Sequence, residues 1–189
     1  MEVTGEAPAL AVSVAEYRRA TGFIEPDAEA DALIQSYLVA AQQVVEAGTN
    51  RMMGRRSVRL SFEARPGLLR WWFPCAPVAE VTGVKLIHGG GETALALPDL
   101  GLRMLQDEPQ ILFPLGAVPG GDPAVIEVEA VVGADVADAR LKQAIIMIVK
   151  DWREANIAID QTEYTRASFG CRALMKQARY RRPDVSEVI

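Results

Sequence analysis

The sequence predicts an α+β protein: a small helical bundle with an inserted antiparallel β-sheet or small sandwich, and an extended C-terminal arm. Three patterns predict it. Apolar residues recur at three- and four-residue steps over 27–48 and 136–156, the spacing of amphipathic helices. Between them, over 57–132, the period falls to two, and Gly and Pro cut the chain into short strands. After residue 160 the apolar periodicity lapses and basic residues gather. Residues 1–160 are therefore read as one body and 161–189 as its arm. With 189 residues, 50% of them hydrophobic and 24% charged, the chain can bury a core.

Ser13 followed by Glu16 reads as a capping box that opens a short helix over 13–22, closed by Gly22. Pro26 and Asp27 start the next helix. Ala30, Leu33, Ile34, Tyr37, Leu38, Ala41, Val44 and Val45 form its apolar stripe, and Gly48, Thr49 and Asn50 stop it. Acidic residues crowd its first turn, where the helix dipole favours them. Val58, Leu60 and Phe62 then alternate with Ser57, Arg59 and Ser61 as a half-buried strand. Leu68 to Phe73 and Val78 to Ile87 are further strand candidates, with a turn at His88–Gly91. Met104–Leu105 and Ile111–Leu115 are shorter ones. Ile126, Val128, Ala130 and Val132 give the clearest alternation. The last helix is expected over 136–156 with Asp135 as N-cap and Leu141, Ala144, Ile145, Ile148, Val149 and Trp152 as its core stripe. Ile146 and Met147 lie off that stripe and mark a second apolar face, the kind that meets another subunit.

Catalytic and metal chemistry find no residues here. His88 is the single histidine and sits beside three glycines, as a turn residue does. One His and two distant cysteines do not build a zinc site, and Gly89–Gly91 lack the following Lys-Ser/Thr of a phosphate-binding loop. Glu127 and Glu129 share one side of a strand but have no nucleophile or further acid in company, which fits a solvated sheet surface. No cofactor, no metal and no enzymatic activity are expected. Cys75 and Cys171 read as thiols rather than a disulfide, and neither a signal peptide nor a membrane-spanning run is visible. Trp71 and Trp72 point to opposite faces of a strand. One belongs to the core, and the other either lies at an interface or is capped by Arg70.

Charge is distributed in poles. The net charge is −5, and the first fifty residues hold eight acidic residues against Arg18 and Arg19. The stretch from Arg166 to Arg182 reverses this: Arg166, Arg172, Lys176, Arg179, Arg181 and Arg182 are met by no Asp or Glu. Tyr164, Phe169, Leu174, Met175 and Tyr180 lie among them, and such anchors suit a docking segment better than a solubility tail. Gly170 and Pro183 interrupt the stretch, so disorder is expected until a partner orders it.

The order of segments resembles a known family. A helix "DALIQSYLVAAQQVVEAGTNR" (Asp31 to Arg51) precedes a strand with "VRLSF". Next come "FPCAPVAEVTGVKLI" (Phe73 to Ile87), "IEVEAVVGAD" (Ile126 to Asp135) and the helix "LKQAIIMIVKDWREAN" (Leu141 to Asn156). Over roughly residues 12 to 156 this is similar to the head–tail connector, or adaptor, family of tailed bacteriophages and phage-derived gene transfer agents. The chain departs from it in lacking an aromatic after Gly133 and a proline before the last helix, near Ala139 and Arg140.

The resemblance implies a structural protein of a virion or phage-like particle, made in the bacterial cytoplasm and placed at the head–tail interface. Its homo-oligomeric ring, typically of twelve copies, would sit under the portal protein, lengthen the DNA channel and carry tail-side stopper or head-completion proteins. DNA would pass without sequence-specific binding, and no membrane is involved. By the same resemblance the segment after the last helix reaches the portal. Tyr164, Arg166, Phe169, Arg172, Leu174, Lys176, Arg179, Tyr180, Arg181 and Arg182 become its portal-binding candidates, with Ile146, Met147 and Trp72 at the subunit interface. Unlike surfaces on one chain are what a ring of identical copies needs. The competing class is a small nucleic-acid-binding regulator using the basic arm. The net negative charge and the lack of a reading helix argue against it.

Overall fold

The structure, a computed structural model, describes residues 1–23, 28–105, 107–121, 124–155 and 168–183. It is α+β, as expected, and its contacts divide it into two units: a helical unit of Ala9–Gly54 and Asp135–Arg179, and a β unit of Met1–Pro8, Arg55–Ala134 and Tyr180–Ile189.

The helical unit holds α1 (Val14–Thr21), α2 (Ala28–Thr49), α3 (Ala139–Glu154) and α4 (Phe169–Ala178). The capping box forms as read: Ser13 Oγ accepts from the Glu16 amide at 3.1 Å, and the Glu16 carboxylate accepts from the Ser13 amide at 2.9 Å. Gly22 ends α1 in the left-handed region at φ 73°. On α2, Ile34, Tyr37, Leu38, Ala41 and Val45 are buried, but Leu33 is turned to solvent. Pro26 and Asp27, the expected start of this helix, lie outside the described residues. On α3, Leu141, Ala144, Ile145, Ile148 and Val149 are buried and Trp152 packs on Tyr37, with ring centroids 6.3 Å apart. The helix starts three residues later than expected. Asp138, not Asp135, is the N-cap, because its carboxylate accepts from the Arg140 amide at 2.8 Å.

Polar residues also enter this core. Gln42 Oε1 accepts from the Ala11 amide at 2.8 Å, and Glu46 Oε1 accepts from the Met53 amide at 2.7 Å. Two loops are thus tied to α2 through backbone amides that it helps to satisfy.

The β unit contains β1 (Glu2–Val3), β2 (Arg56–Ala64), β3 (Arg70–Trp72), β4 (Val78–His88), β5 (Gly91–Ala94), β6 (Gly101–Met104), β7 (Pro109–Leu112) and β8 (Ala124–Val132). A five-stranded sheet has the order β1-β2-β8-β4-β5, and a three-stranded one the order β3-β7-β6; every pairing is antiparallel. Strand β8 is central, and its buried Ala124, Ile126, Val128, Ala130 and Val132 alternate with half-buried Val125, Glu127, Glu129 and Val131. The alternation puts one face in the core and leaves the other to the polar side. Gly89 and Gly90, at φ 58° and 79°, make the two-residue turn between β4 and β5 that only left-handed residues allow. Phe62 stacks on Trp71 at 4.4 Å between ring centroids, and Trp71 meets Phe73 at 4.7 Å.

Candidate partner-binding surfaces

The expectation of disorder after residue 160 is corrected for 168–183. Ser168 Oγ accepts from the Cys171 amide and opens α4, which packs against the helical core through Cys171 and Ala178. Leu174 and Met175 pack against the same core. Arg51 Nε donates to the Ala178 carbonyl at 3.0 Å and closes the helix end. Gly170, read as an interruption, instead sits in the first turn of α4, where a Cβ would lie 3.0 Å from Met147 Cε. The second apolar face of α3 is therefore met within the chain, and Ile146 and Met147 are half-buried. Tyr164 and Arg166 lie outside the described residues.

Past α4 the chain enters the β unit. Tyr180 is 2% exposed and its hydroxyl donates to the Phe73 carbonyl at 2.9 Å. Sequence gives a reason. Phe73 N–H donates to the Pro109 carbonyl at 3.0 Å, continuing the β3–β7 register. The residue opposite should return an N–H to Phe73, and proline has none. Tyr180 supplies the missing donor. Arg182 lies over the Trp71 ring, 6.0 Å from its centroid. Trp72 is also buried, at 8% exposure, with the Arg70 guanidinium 5.2 Å from its ring centroid, so the capping alternative is the one realised inside the chain.

The portal-binding candidates therefore separate into two sets. Leu174 and Tyr180 are held in cores. Phe169, Arg172, Lys176 and Arg179 step by three, four and three along α4 and are exposed, Phe169 by 81%. Arg172, Lys176, Arg179 and Arg181 form no ion pair among the described residues. An aromatic ring leads a ridge of unneutralised cations, a surface complementary to an acidic protein face.

The open face of the five-stranded sheet has the opposite character. Glu127 and Glu129 flank Arg59 at 3.4 and 3.3 Å, and Lys85 lies 4.0 Å from Glu92. The Glu129 hydrogen bond, then the Glu127 charge, raise the Arg59 guanidinium above its ordinary value. Both cations of this patch have a carboxylate within 4.0 Å. A shallow groove lined by Tyr17, Thr21, Phe23, Lys150, Arg153 and Glu154 contains no nucleophile–base pair, and Arg153 rests against the Tyr17 and Phe23 rings. Among the described residues no cluster of His, Cys, Asp or Glu could hold a metal. No disulfide joins Cys75 and Cys171, both buried, and burial pushes the Cys171 thiol up. No helix among the described residues is long and apolar enough to cross a membrane.

Neither a protein-family model nor a curated protein sequence matches the chain. Solved structures do. A chain in the neck of an empty GTA particle computed with C6 symmetry is 26% identical, covers 97% of both chains and superposes with a TM-score of 0.71. A chain in the virion of a native gene transfer agent (GTA) particle is 28% identical over 96% of each, with a TM-score of 0.72. One in the neck of a native GTA particle computed with C12 symmetry is 27% identical over 97% of each, with a TM-score of 0.66. The resemblance carried by the sequence is thereby borne out: over nearly its whole length the chain is similar in fold and sequence to neck and virion components of gene transfer agent particles, the head–tail connector type.

Proposed function

We propose that this chain is a structural component of the head–tail neck of a phage-like particle of the gene-transfer-agent type. The observation that supports it most is the similarity to neck structures, which covers 97% of this chain and of its counterparts. Those necks were computed with C6 and C12 symmetry, and the reading this supports for the present chain is a homo-oligomeric ring of twelve copies. The ring lies below the portal, continues the DNA channel and offers its far side to a stopper or head-completion protein. Catalysis has no part in it.

Within that reading the portal contact belongs to the exposed ridge of α4, Phe169, Arg172, Lys176 and Arg179. Leu174 and Tyr180 support the surface from within and do not touch the partner. Negative-stain imaging of the purified chain, alone and with isolated portal rings, tests the proposal. The expected result is a twelvefold ring seated on the portal. A chain that stays monomeric with portal and is missing from particles would refute it. Retention of the chain on duplex DNA at physiological salt, lost on reversing the α4 charges, would instead favour the nucleic-acid-binding class.

A further inference from the structure

Backbone hydrogen bonds in an antiparallel pair alternate, so every second residue of an edge strand turns its N–H and C=O away from the sheet. In the five-stranded sheet, the Thr4 amide donates to the Ser57 carbonyl at 3.0 Å, and Glu2 is opposite Arg59. The polar groups of Ser57, Arg59, Ser61 and Glu63 therefore point to the β1 side of β2. Pairing with β1 ends at Arg59, and beyond it no backbone partner meets Ser61 or Glu63 among the described residues. At the other margin the Leu95 amide donates to the Val84 carbonyl at 2.8 Å, and Lys85 is opposite Ala94. Thr93 thus faces β4, whereas Glu92 and Ala94 face outward without a backbone partner among the described residues. All four residues of β5 are exposed.

These two open edges match. The cross-strand rows Ser61–Glu127–Lys85–Ala94 and Glu63–Val125–Ile87–Glu92 place both at the same end of the sheet. Three successive antiparallel pairings separate β2 from β5, so the two strands run in opposite senses. A second copy set beside the first therefore brings an open β5 to an open β2 in antiparallel orientation. Elsewhere the margin is closed. β1 covers Arg59 and Val58, and register shifts at Val78/Glu80 and Val81/Gly83 distort the part of β4 that β5 leaves bare.

We propose that these edges join neighbouring copies: β5 of one copy adds to the end of β2 of the next, with Ala94 opposite Glu63. Two unlike edges in contact make a heterologous interface, the kind that closes rings, so the inference rests on the ring reading above. Aligning the rows directly would set Glu63 against Glu92. A slide of two residues sets Glu63 opposite Ala94 and brings Arg65 to Glu92, and opposite charges favour this register.

Ala94→Pro removes an outward N–H and leaves the β4–β5 ladder intact, because an edge strand accepts proline where its N–H faces solvent. Glu63→Pro does the same on β2. Each full-length variant is assembled on isolated portal rings, and a Glu63→Cys, Ala94→Cys double variant is oxidised after assembly; the native cysteines are buried. The double variant should give a ladder of covalent multimers, with no ladder from either single variant. Each proline variant should keep the wild-type circular dichroism spectrum and lose ring yield by about tenfold, the scale of one or two lost backbone bonds per contact. Should a proline variant misfold, the cysteine ladder alone decides. Wild-type rings whose double variant yields no ladder would overturn the edge contact and leave the ring reading standing. A wild-type chain that forms no ring on portal would overturn both.

Discussion

Tyr180→Phe removes one oxygen and isolates the reason the chain beyond α4 is held in the β unit. The lost hydroxyl donates at 2.9 Å to a carbonyl of Phe73, a residue with no exposed surface. Without it that carbonyl has no donor among the described residues, since Pro109 opposite has no N–H to return. Leaving a buried acceptor unpaired costs about 1–3 kcal/mol. A middle value of about 2 kcal/mol lowers Tm by about 4–8 °C for a chain of this size. Urea unfolding followed by tryptophan fluorescence reads the change through Trp71, whose ring lies 4.7 Å from that of Phe73. Pro109→Ala provides the control: its new N–H can serve Phe73, so Tyr180→Phe should cost about 0.5 kcal/mol or less in that background. Equal cost in both backgrounds would refute the role given to Pro109. No cost in either would refute the latch itself.

Reversing Arg172 and Lys176 to Glu should leave Tm unchanged, because neither side chain has an ion-pair partner among the described residues, and should abolish portal co-purification at low salt; binding equal to wild type would move the contact off α4. Ser13→Ala should destabilise by about 1 kcal/mol, the usual worth of an N-cap, checked by thermal melts. The Ser13 amide, followed by the Lys142 ammonium, lowers the Glu16 carboxyl below its ordinary 4.5. A lowered carboxyl stabilises above its unfolded value and loses that contribution as pH falls through the folded one. Glu16→Gln should therefore be less stable than wild type at pH 7, and the gap should shrink as acid protonates the carboxyl in the folded chain; a gap that does not change with acidification would contradict the assignment. Glu46→Ala leaves the Met53 amide, bonded at 2.7 Å, without that acceptor and should cost about 2–4 kcal/mol by urea titration.

Most of the fold was legible because its signals are local. Ser13 and Glu16 specify α1 by themselves, and the period-two run of β8 survives because that strand is core on one face along its whole length. The Gly89–Gly90 turn announces the β4–β5 hairpin. What escaped depends on distant residues. Strand β5, with the sequence Gly-Glu-Thr-Ala, has no apolar alternation, and only pairing with β4 makes it a strand. Gln42 and Glu46 look like solvent residues of α2 until the loops at Ala11 and Met53 reach them. The α3 cap expected at Asp135 falls instead to Asp138, whose carboxylate reaches the Arg140 amide.

The C-terminal stretch shows how composition alone misdirects. Its high charge and its Gly170 suggest disorder, because both are read against an isolated segment. Gly170 does not break the helix once α3 is present: it sits in the first turn of α4, where a Cβ would meet only the flexible Cε of Met147 at 3.0 Å, and Cys171 and Ala178 are buried. The charges follow the same logic. Arg172, Lys176 and Arg179 lie on the side of α4 away from Cys171 and Ala178, so helix formation gathers them into one ridge instead of scattering them along a coil. Folding the segment thus leaves these charges exposed. A preformed ridge also loses less conformational freedom on docking than a disordered arm would, which favours tighter binding for the same contacts. The distinction is measurable in the heat-capacity change on portal binding. A ridge already helical should give only the term from the buried interface, whereas an arm that folds on contact would add the large negative contribution of coupled folding.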